Sequence, residues 1–444
     1  MEHNPKRRTA AEAGWRLSQY NITAKLPEDG RWVIVNLMKG SCRASSWAEL
    51  IPLSMLDRIG EDSPLLLPFK KGGILVNYDE KAALQSLARS AIAYPFAADL
   101  TVCPTMACNF DCPYCFEKHT PGKMSAQIQD DVIGLAERML DASGAKKLQV
   151  TWFGGEPLLA MDAIEALSRR LMELADRKNA VYEAEIVTNG YLLDQKNAGL
   201  LRRCKVNIYQ ITLDGIGVLH DMTRHLAGGG PTFERITENL RQVKIEGTVN
   251  IRHNVYAGNR TEANQLRAFV DALAQESGND LRYYPALVSS TDIAEARGSQ
   301  VDLLCGEDAS SLLFAQDDEL LEGGRGHYCG AQCLWSVGID AEGRLQKCWE
   351  DLSIPEHSFG TAARWDPKNP LMTAGAPDRL TAYLNTAGVP DDGECRSCIW
   401  FPACRGGCPT KRLFYRRQCL PYKDDPEAFA LAVYRKSLNA NSRK

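Results

Sequence analysis

Cysteine side chains are the strongest chemical signal in this 444-residue sequence, which contains 15 of them. The first dense group is a trio in CxxxCxxC spacing, formed by Cys108, Cys112 and Cys115. A structural zinc site or an electron-transfer cluster normally takes four protein ligands. Three thiolates on one loop therefore indicate a metal site with a position left open for a substrate or cofactor.

A second dense group lies near the C-terminus. It begins with Cys329. The seven cysteines that follow have the spacing Cx9Gx4C, then Cx2Cx5Cx3C, then a separate cysteine, and they are Cys333, Cys348, Cys395, Cys398, Cys404, Cys408 and Cys419. Metal ligation is the leading explanation, and zinc ribbons are the main alternative because paired CxxC motifs also bind zinc. Cys42, Cys103, Cys204 and Cys305 lie outside both groups, and we expect them to be ordinary buried thiols.

Composition excludes several classes of function. The net charge of −4 and the pI near 6.1 give no basic field for nucleic acid. The N-terminus is basic, but no apolar run follows it, and no stretch is long enough to span a bilayer. We therefore expect a cytoplasmic protein, in which disulfides are rare, with no membrane partner.

Hydrophobic periodicity predicts the elements that position these cysteines. Short apolar strands are expected at 100–102, 148–153, 184–187, 206–213, 249–256 and 281–287. Helical patterns lie between them, one with Val132, Leu135 and Met139 on one face and another with Leu167 and Leu171. Alternating strands and helices predict a parallel sheet, in which six βα units form an open, partial barrel. Ligands gather at the C-terminal ends of such strands, and the first cysteine trio follows the first strand.

The remaining sequence suggests flanking domains. We expect an N-terminal α+β domain over 1–97, a barrel over 98–322, a cysteine-rich domain over 323–422 and a closing helix within 423–444. In the first of these, strands around 19–26 and 31–37 flank a turn at 27–30. Polar residues around 317–319 suggest the connection from the barrel to the cysteine-rich domain.

The cysteine trio, with Tyr114 directly before the third cysteine, resembles the signature of the radical SAM superfamily. The resemblance implies a catalytic [4Fe-4S] cluster on Cys108, Cys112 and Cys115, whose open iron binds S-adenosylmethionine. Reductive cleavage of that molecule gives a 5′-deoxyadenosyl radical, which abstracts hydrogen. The hard chemistry belongs to the cofactor, while the protein orients and shields it.

Further segments resemble the cofactor-binding motifs of the same family, and each follows or ends a predicted strand. The resemblance implies that S-adenosylmethionine is contacted by Tyr114, Gly154, Gly155, Glu156, Pro157, Asn189, Thr212, Asp214 and Asn254. Asn-Gly and Asp-Gly pairs are more often plain turns, so the order of these segments along the barrel carries the argument.

The C-terminal cysteines resemble the SPASM domain, which follows the barrel in radical SAM enzymes that modify peptides and proteins. By that pattern one auxiliary cluster takes Cys333, Cys348 and Cys408, with Cys329 as the natural fourth ligand. The other takes Cys395, Cys398, Cys404 and Cys419. The resemblance thus implies an α/β fold, a partial (β/α)6 TIM-type barrel between a small α+β domain and a SPASM domain, with three [4Fe-4S] clusters.

Three functions remain open at this stage. The favoured one is a peptide maturase that forms a thioether or another crosslink in a ribosomally made precursor. Its partners would be that precursor and an electron donor such as flavodoxin or ferredoxin. The N-terminal domain would be a winged-helix-like element that grips a leader peptide by strand addition, although a packing extension without a ligand explains it equally well.

The alternatives are an anaerobic sulfatase maturase, which makes formylglycine, and a non-catalytic iron–sulfur electron carrier. Sulfatase maturases have an aspartate, thought to act as a base, directly after the cysteine that corresponds to Cys348. Here that position is Trp349, and Glu350 and Asp351 follow as weak base candidates. The open three-cysteine site argues against a simple electron carrier.

Overall fold

The computed structural model describes residues 8–93, 96–288, 329–388, 393–415, 417, 419–420 and 423–441. The described parts of 1–91 and 386–444 belong to one unit, and those of 92–288 and 330–385 belong to another. The polar connection expected around 317–319 and Cys305 lie outside the described residues. No described helix is long and apolar enough to cross a membrane.

The N-terminal segment contains two small antiparallel sheets. Strands β2, β3 and β4 (Asn21–Lys25, Trp32–Asn36 and Ser41–Ser45) form one sheet, while β1 (Arg16–Leu17) pairs with β5 (Leu75–Val76). The expected turn at 27–30 joins β2 to β3, with Gly30 at a φ of 72°. The helices of this segment are α1 (Trp47–Leu50), α2 (Leu67–Lys71) and α3 (Glu80–Ala93).

The other unit is built on a nine-stranded sheet. Six parallel strands stand in chain order from β6 to β11, as the sequence predicted: Ala98–Val102, Lys147–Trp152, Val181–Thr188, Val206–Thr212, Thr248–Val255 and Asp280–Leu287. On the other side of β6, β12 (Ser336–Ile339) adds in parallel, followed by β13 (Arg344–Gln346) and β14 (Gly360–Thr361). Strands from the predicted cysteine-rich segment thus extend the barrel sheet.

Crossover helices cover the barrel strands. They are α4 (Ala126–Ser143), α5 (Met161–Arg177), α6 (Gln195–Arg203), α7 (Val218–Asp221), α8 (Phe233–Gln242) and α9 (Ala263–Ser277), with α10 (Pro370–Thr373) and α11 (Pro377–Asn385) after the sheet. The predicted faces are buried, since Val132, Leu135 and Met139 of α4 and Leu167 and Leu171 of α5 are fully inaccessible. Burial of these apolar stripes against the strands provides the main core of the unit.

The C-terminal segment of the first unit is helical. Its helices are α12 (Gly393–Ser397), α13 (Phe401–Cys404), α14 (Pro409–Phe414) and α15 (Pro426–Asn441), the last being the predicted closing helix. Phe429 of α15 packs with Tyr20 and Val33 of the N-terminal segment, and its ring lies edge-on to Trp400 at 4.9 Å between centroids. The two ends of the chain therefore share one hydrophobic core.

Candidate active site

The first cysteine trio lies on the loop between β6 and α4, at the C-terminal end of the first barrel strand. Backbone N–H groups point at two of its sulfurs, since Phe110 N donates to Cys108 Sγ and Glu117 N donates to Cys115 Sγ, both at 3.4 Å. Burial raises the pKa of Cys108 to about 12, and the negative charge of the nearby Glu156 is the second cause of this increase. Because ligands bind iron as thiolates, cluster binding would have to displace this proton.

The loop after β7 lies directly against the cysteine loop. Gly155 N donates to Thr105 O at 3.3 Å, and Glu156 N donates to Ala107 O at 2.9 Å. A Cβ on Gly154, whose φ is 112°, would lie 2.3 Å from Thr105 O, and one on Gly155 would lie 2.4 Å from Ala107 O. Only glycine fits this close approach, as expected of a backbone cradle.

The Glu156 side chain connects the loop after β7 to the end of β8. Its buried carboxylate accepts hydrogen bonds from Leu158 N at 3.0 Å, Thr188 Oγ1 at 2.7 Å and Asn189 N at 2.8 Å. Desolvation raises the pKa of the carboxyl group, and the three donors oppose that effect. Pro157 follows as the buried first residue of a 3-10 turn. In this structure the observed role of Glu156 is to fix the loops, and its contact with a cofactor stays a prediction.

Asn189 extends this connection to the cysteine loop. Its Nδ2 donates to Asn109 Oδ1 at 2.8 Å, while Asn109 Nδ2 is buried without a hydrogen-bond partner. A buried amide donor beside Cys108 is suited to binding a polar ligand. The sequence alone did not identify Asn109, because its partner lies 80 positions away.

A second network surrounds Tyr114, the aromatic residue before the third cysteine. Its hydroxyl donates to Asp214 Oδ2 and accepts hydrogen bonds from Arg224 Nη1 at 3.1 Å and Asn254 Nδ2 at 3.3 Å. Asp214 Oδ1 also accepts a hydrogen bond from Asn254 N at 3.2 Å. Burial, with the Asp214 charge beside it, raises the pKa of Tyr114 well above its usual range. Thr212 ends β9 in the same buried region.

Arg224 is the main residue that sequence analysis missed. Its side chain is only 8% exposed, and its Nε has no hydrogen-bond partner although it is buried. A buried guanidinium with an unused donor fits an anionic group such as a carboxylate. A basic residue ten positions after Asp214, following the same strand, is the sequence signal that could have indicated it.

Asp351, one of the two candidates for a base, already has hydrogen-bond partners within the protein. Asp351 is fully buried, its Oδ1 lies 2.9 Å from His357 Nδ1, and its Oδ2 accepts a hydrogen bond from Tyr383. Glu350 belongs to the same short 3-10 turn and is partly buried. Trp349 is 39% exposed, and its ring lies 5.1 Å from that of Phe153. An aromatic surface therefore occupies the position where sulfatase maturases would have a carboxylate.

Four C-terminal cysteines lie around one cavity, and their joint ligation of a cluster stays a prediction. They line one cavity, whose walls include Trp400 and Phe401, and they are Cys395, Cys398, Cys404 and Cys419. Among the described residues, no three His, Cys, Asp or Glu side chains are arranged to hold a single metal ion. A cluster spreads its ligands further apart, because each thiolate binds a different iron atom.

The other four C-terminal cysteines are distributed over both units. Cys333 and Cys348 lie in the barrel unit, where Lys347 Nζ donates to the carbonyl oxygen of Cys333. Cys329 and Cys408 belong to the other unit, where Cys408 directly precedes α14. Their joint ligation of a cluster stays a prediction.

Comparisons with known proteins agree with this geometry. Residues 102–271 match the model of the Radical SAM superfamily. A cysteine-type anaerobic sulfatase-maturating enzyme of Clostridium perfringens (strain 13 / Type A) is 24% identical over 353 residues, covering 72% of this chain and 88% of that protein. A probable GTP 3′,8-cyclase of Sulfolobus acidocaldarius is 29% identical over 180 residues, 39% of this chain and 51% of that protein.

The fold comparison gives the same result. The structure of native anSMEcpe with bound AdoMet and Cp18Cys peptide superposes with a TM-score of 0.59 at 20% identity, covering 79% of this chain and all of that chain. The matched barrel residues include the cysteine trio and the loops that surround it. Residues 102–271 therefore resemble a radical SAM domain, and the chain is an enzyme.

Proposed function

We propose that this enzyme is a peptide maturase that abstracts hydrogen from a ribosomally made precursor and forms a thioether or another crosslink. The observation that carries the choice is the chemistry after Cys348, where Trp349 replaces the carboxylate and Asp351 is held by His357 and Tyr383. Crosslink formation after hydrogen abstraction does not require a base at that position.

In the proposed reaction, the cysteine loop and the glycine loop after β7 position the reactants. When bound, the cluster and S-adenosylmethionine supply a 5′-deoxyadenosyl radical. Cys108, Cys112 and Cys115 would hold the iron, while Gly154 and Gly155 allow the backbone to approach closely. These residues position the reactants and contribute no acid–base step.

The remaining groups orient and shield the site. Arg224 and Asn109 supply buried donors for anionic and polar groups of S-adenosylmethionine, and the hydroxyl of Tyr114 fixes Arg224. The ring of Phe153 is nearly parallel to that of Phe116, at 6.3 Å and an interplanar angle of 12°, and it is tilted by 43° against that of Trp349 at 5.1 Å. This aromatic wall would exclude water from the reacting atoms, which limits quenching of a radical.

Two auxiliary clusters complete the proposal. The cavity of Cys395, Cys398, Cys404 and Cys419 would hold one. Cys329, Cys333, Cys348 and Cys408 would hold the other. With the catalytic cluster, the reconstituted chain should contain about 12 iron ions, whereas stoichiometric zinc would support the ribbon alternative.

The N-terminal sheet is the proposed site for the leader of the precursor. Strand β4 is one edge of its three-stranded sheet, and an extended peptide can add to such an edge. Deleting the whole segment would also remove Tyr20 and Val33 from the core around Phe429, so a point substitution is the cleaner test.

Proline substitutions at Cys42 and Arg43 provide that test. Alternate residues of a strand direct their N–H groups to opposite sides, so only one of the two faces away from β3. The outward substitution should weaken binding of the full precursor while S-adenosylmethionine cleavage and the melting temperature stay near those of the wild type. Equal precursor affinity in the wild type and both variants would exclude leader binding at β4.

Sulfatase maturation is the second candidate, because the sulfatase-maturating enzyme of Clostridium perfringens aligns over 72% of this chain. The reduced enzyme should be incubated with precursor peptides encoded beside its gene and with a Cys-containing sulfatase peptide. Mass spectrometry should show the loss of two hydrogens per crosslink in a precursor. An aldehyde trapped by a hydrazide on the sulfatase peptide alone would establish the second candidate instead.

A further inference from the structure

Cations surround the four-cysteine cavity of the C-terminal segment. Arg412 Nη1 lies 3.5 Å from Cys395 Sγ, and Arg417 Nη1 lies 3.6 Å from the same sulfur. On the other side, Lys423 Nζ lies 3.8 Å from Cys419 Sγ. Two of the four thiols are therefore in direct contact with positively charged side chains.

One acidic group partly opposes these charges. Glu394 lines the same cavity and pairs with Arg417 Nη2. Arg412 Nη1 also donates to Gly406 O at 3.2 Å. The charged side chains of the described residues that contact the thiols or line this cavity include Arg412, Arg417, Lys423 and Glu394.

The surroundings of the cavity preserve the effect of these charges. Trp400 and Phe401 are 2% and 3% exposed, so an apolar wall replaces water on that side. Charge interactions are less screened beside such a wall than in bulk solvent. The reduction potential of an iron–sulfur cluster depends on nearby charge, on hydrogen bonds to sulfur and on solvent exposure.

We propose that Arg412, Arg417 and Lys423 raise the reduction potential of the cluster held in this cavity. This inference rests on the proposed ligation by Cys395, Cys398, Cys404 and Cys419. Reduction adds one electron to the cluster without making or breaking a bond to the protein. The added negative charge is stabilised by the cations, so this cluster accepts an electron more readily than four thiolates alone would allow.

The test is a dithionite titration of the whole reconstituted enzyme, followed by electron paramagnetic resonance. Arg412→Gln removes a cation, so the midpoint of one cluster signal should become more negative, with about a tenfold change in the reduction equilibrium, or 59 mV for one electron. Glu394→Gln removes the opposing carboxylate and should shift the same signal in the positive direction. The other cluster signals serve as internal references.

Arg435→Gln is the matched control. Arg435 lies on α15, where it forms an ion pair with Glu28, and no contact with any of the four thiols is observed among the described residues. If the Arg412→Gln variant assembles no cluster, the midpoint potentials of Arg417→Gln and Arg417→Lys should be compared instead, because only the first of these removes the positive charge. Unchanged potentials in variants with wild-type iron content would overturn the inference. A wild-type enzyme that binds only about four iron ions would instead overturn the proposed auxiliary clusters, so the two failures are distinguishable.

Discussion

Replacing Gly155 by alanine tests whether the loop after β7 must lie against the cysteine loop. The added Cβ would lie 2.4 Å from Ala107 O and 2.6 Å from Met106 O, both on the backbone between β6 and Cys108. Favourable contacts of a carbon atom begin near about 3.5 Å, so the two loops would have to separate by roughly 1 Å. The φ angle of Gly155 lies outside the left-handed region, which leaves steric contact as the cause.

A displacement of this size should reduce the rate of S-adenosylmethionine cleavage by about 100-fold, since catalysis is sensitive to misplacement by 1 Å. Overpacking should also lower stability by about 1–3 kcal/mol. The assay is chromatographic measurement of 5′-deoxyadenosine formed by the anaerobically reduced enzyme, with iron content and thermal unfolding measured in parallel.

Gly199→Ala is the matched control, because its Cβ would meet no atom within 4 Å on helix α6. That substitution should leave cleavage unchanged and raise stability by about 0.5–1 kcal/mol. If the Gly155 variant formed 5′-deoxyadenosine as fast as the Gly199 variant, the close approach of the two loops would not be needed for the reaction.

Three further predictions concern the same unit. Cys112→Ala should abolish cleavage while the chain keeps about 8 of about 12 iron ions, and normal cleavage would show that the catalytic cluster lies elsewhere. Tyr114→Phe should destabilise the protein by about 1.5–3 kcal/mol, because Asp214 and Arg224 lose a buried hydrogen-bond partner, and it should weaken S-adenosylmethionine binding in calorimetry. Unchanged affinity would separate the network from cofactor binding. Desolvation lowers the pKa of buried His253 from 6.5 to about 4. Between these pH values the unfolded chain binds a proton at His253 that the folded chain does not bind. The free energy of unfolding should therefore fall as the pH decreases through this window, by up to about 3 kcal/mol. His253→Gln should reduce this acid dependence in denaturant titrations, and an identical slope in both proteins would contradict the assignment.

The strands and helices of the barrel could be predicted from the sequence, because short-range hydrophobic patterns encode them. Six apolar segments at regular intervals predicted β6 to β11 in the correct order, and the apolar faces of α4 and α5 were buried as expected. The resemblance to the SPASM domain grouped Cys395, Cys398, Cys404 and Cys419, which line one cavity in the structure, while their ligation of a cluster stays a prediction. Local periodicity determines which face of a strand or helix is buried, and ligand spacing restricts the loops that can bring thiols together.

The hydrogen-bond partners of the buried polar groups could be identified only in the folded chain. Tyr114 and Asp214 are 100 positions apart, and Asp351 and Tyr383 are 32 apart, so no local pattern records either contact. The addition of β12 beside β6 likewise joins segments more than 230 residues apart. Burying an unpaired charge is unfavourable, so buried charged side chains form hydrogen bonds with groups that the fold brings close, whatever their separation in the sequence. For this reason the partners of Arg224 and Asp351 became visible only in the folded chain.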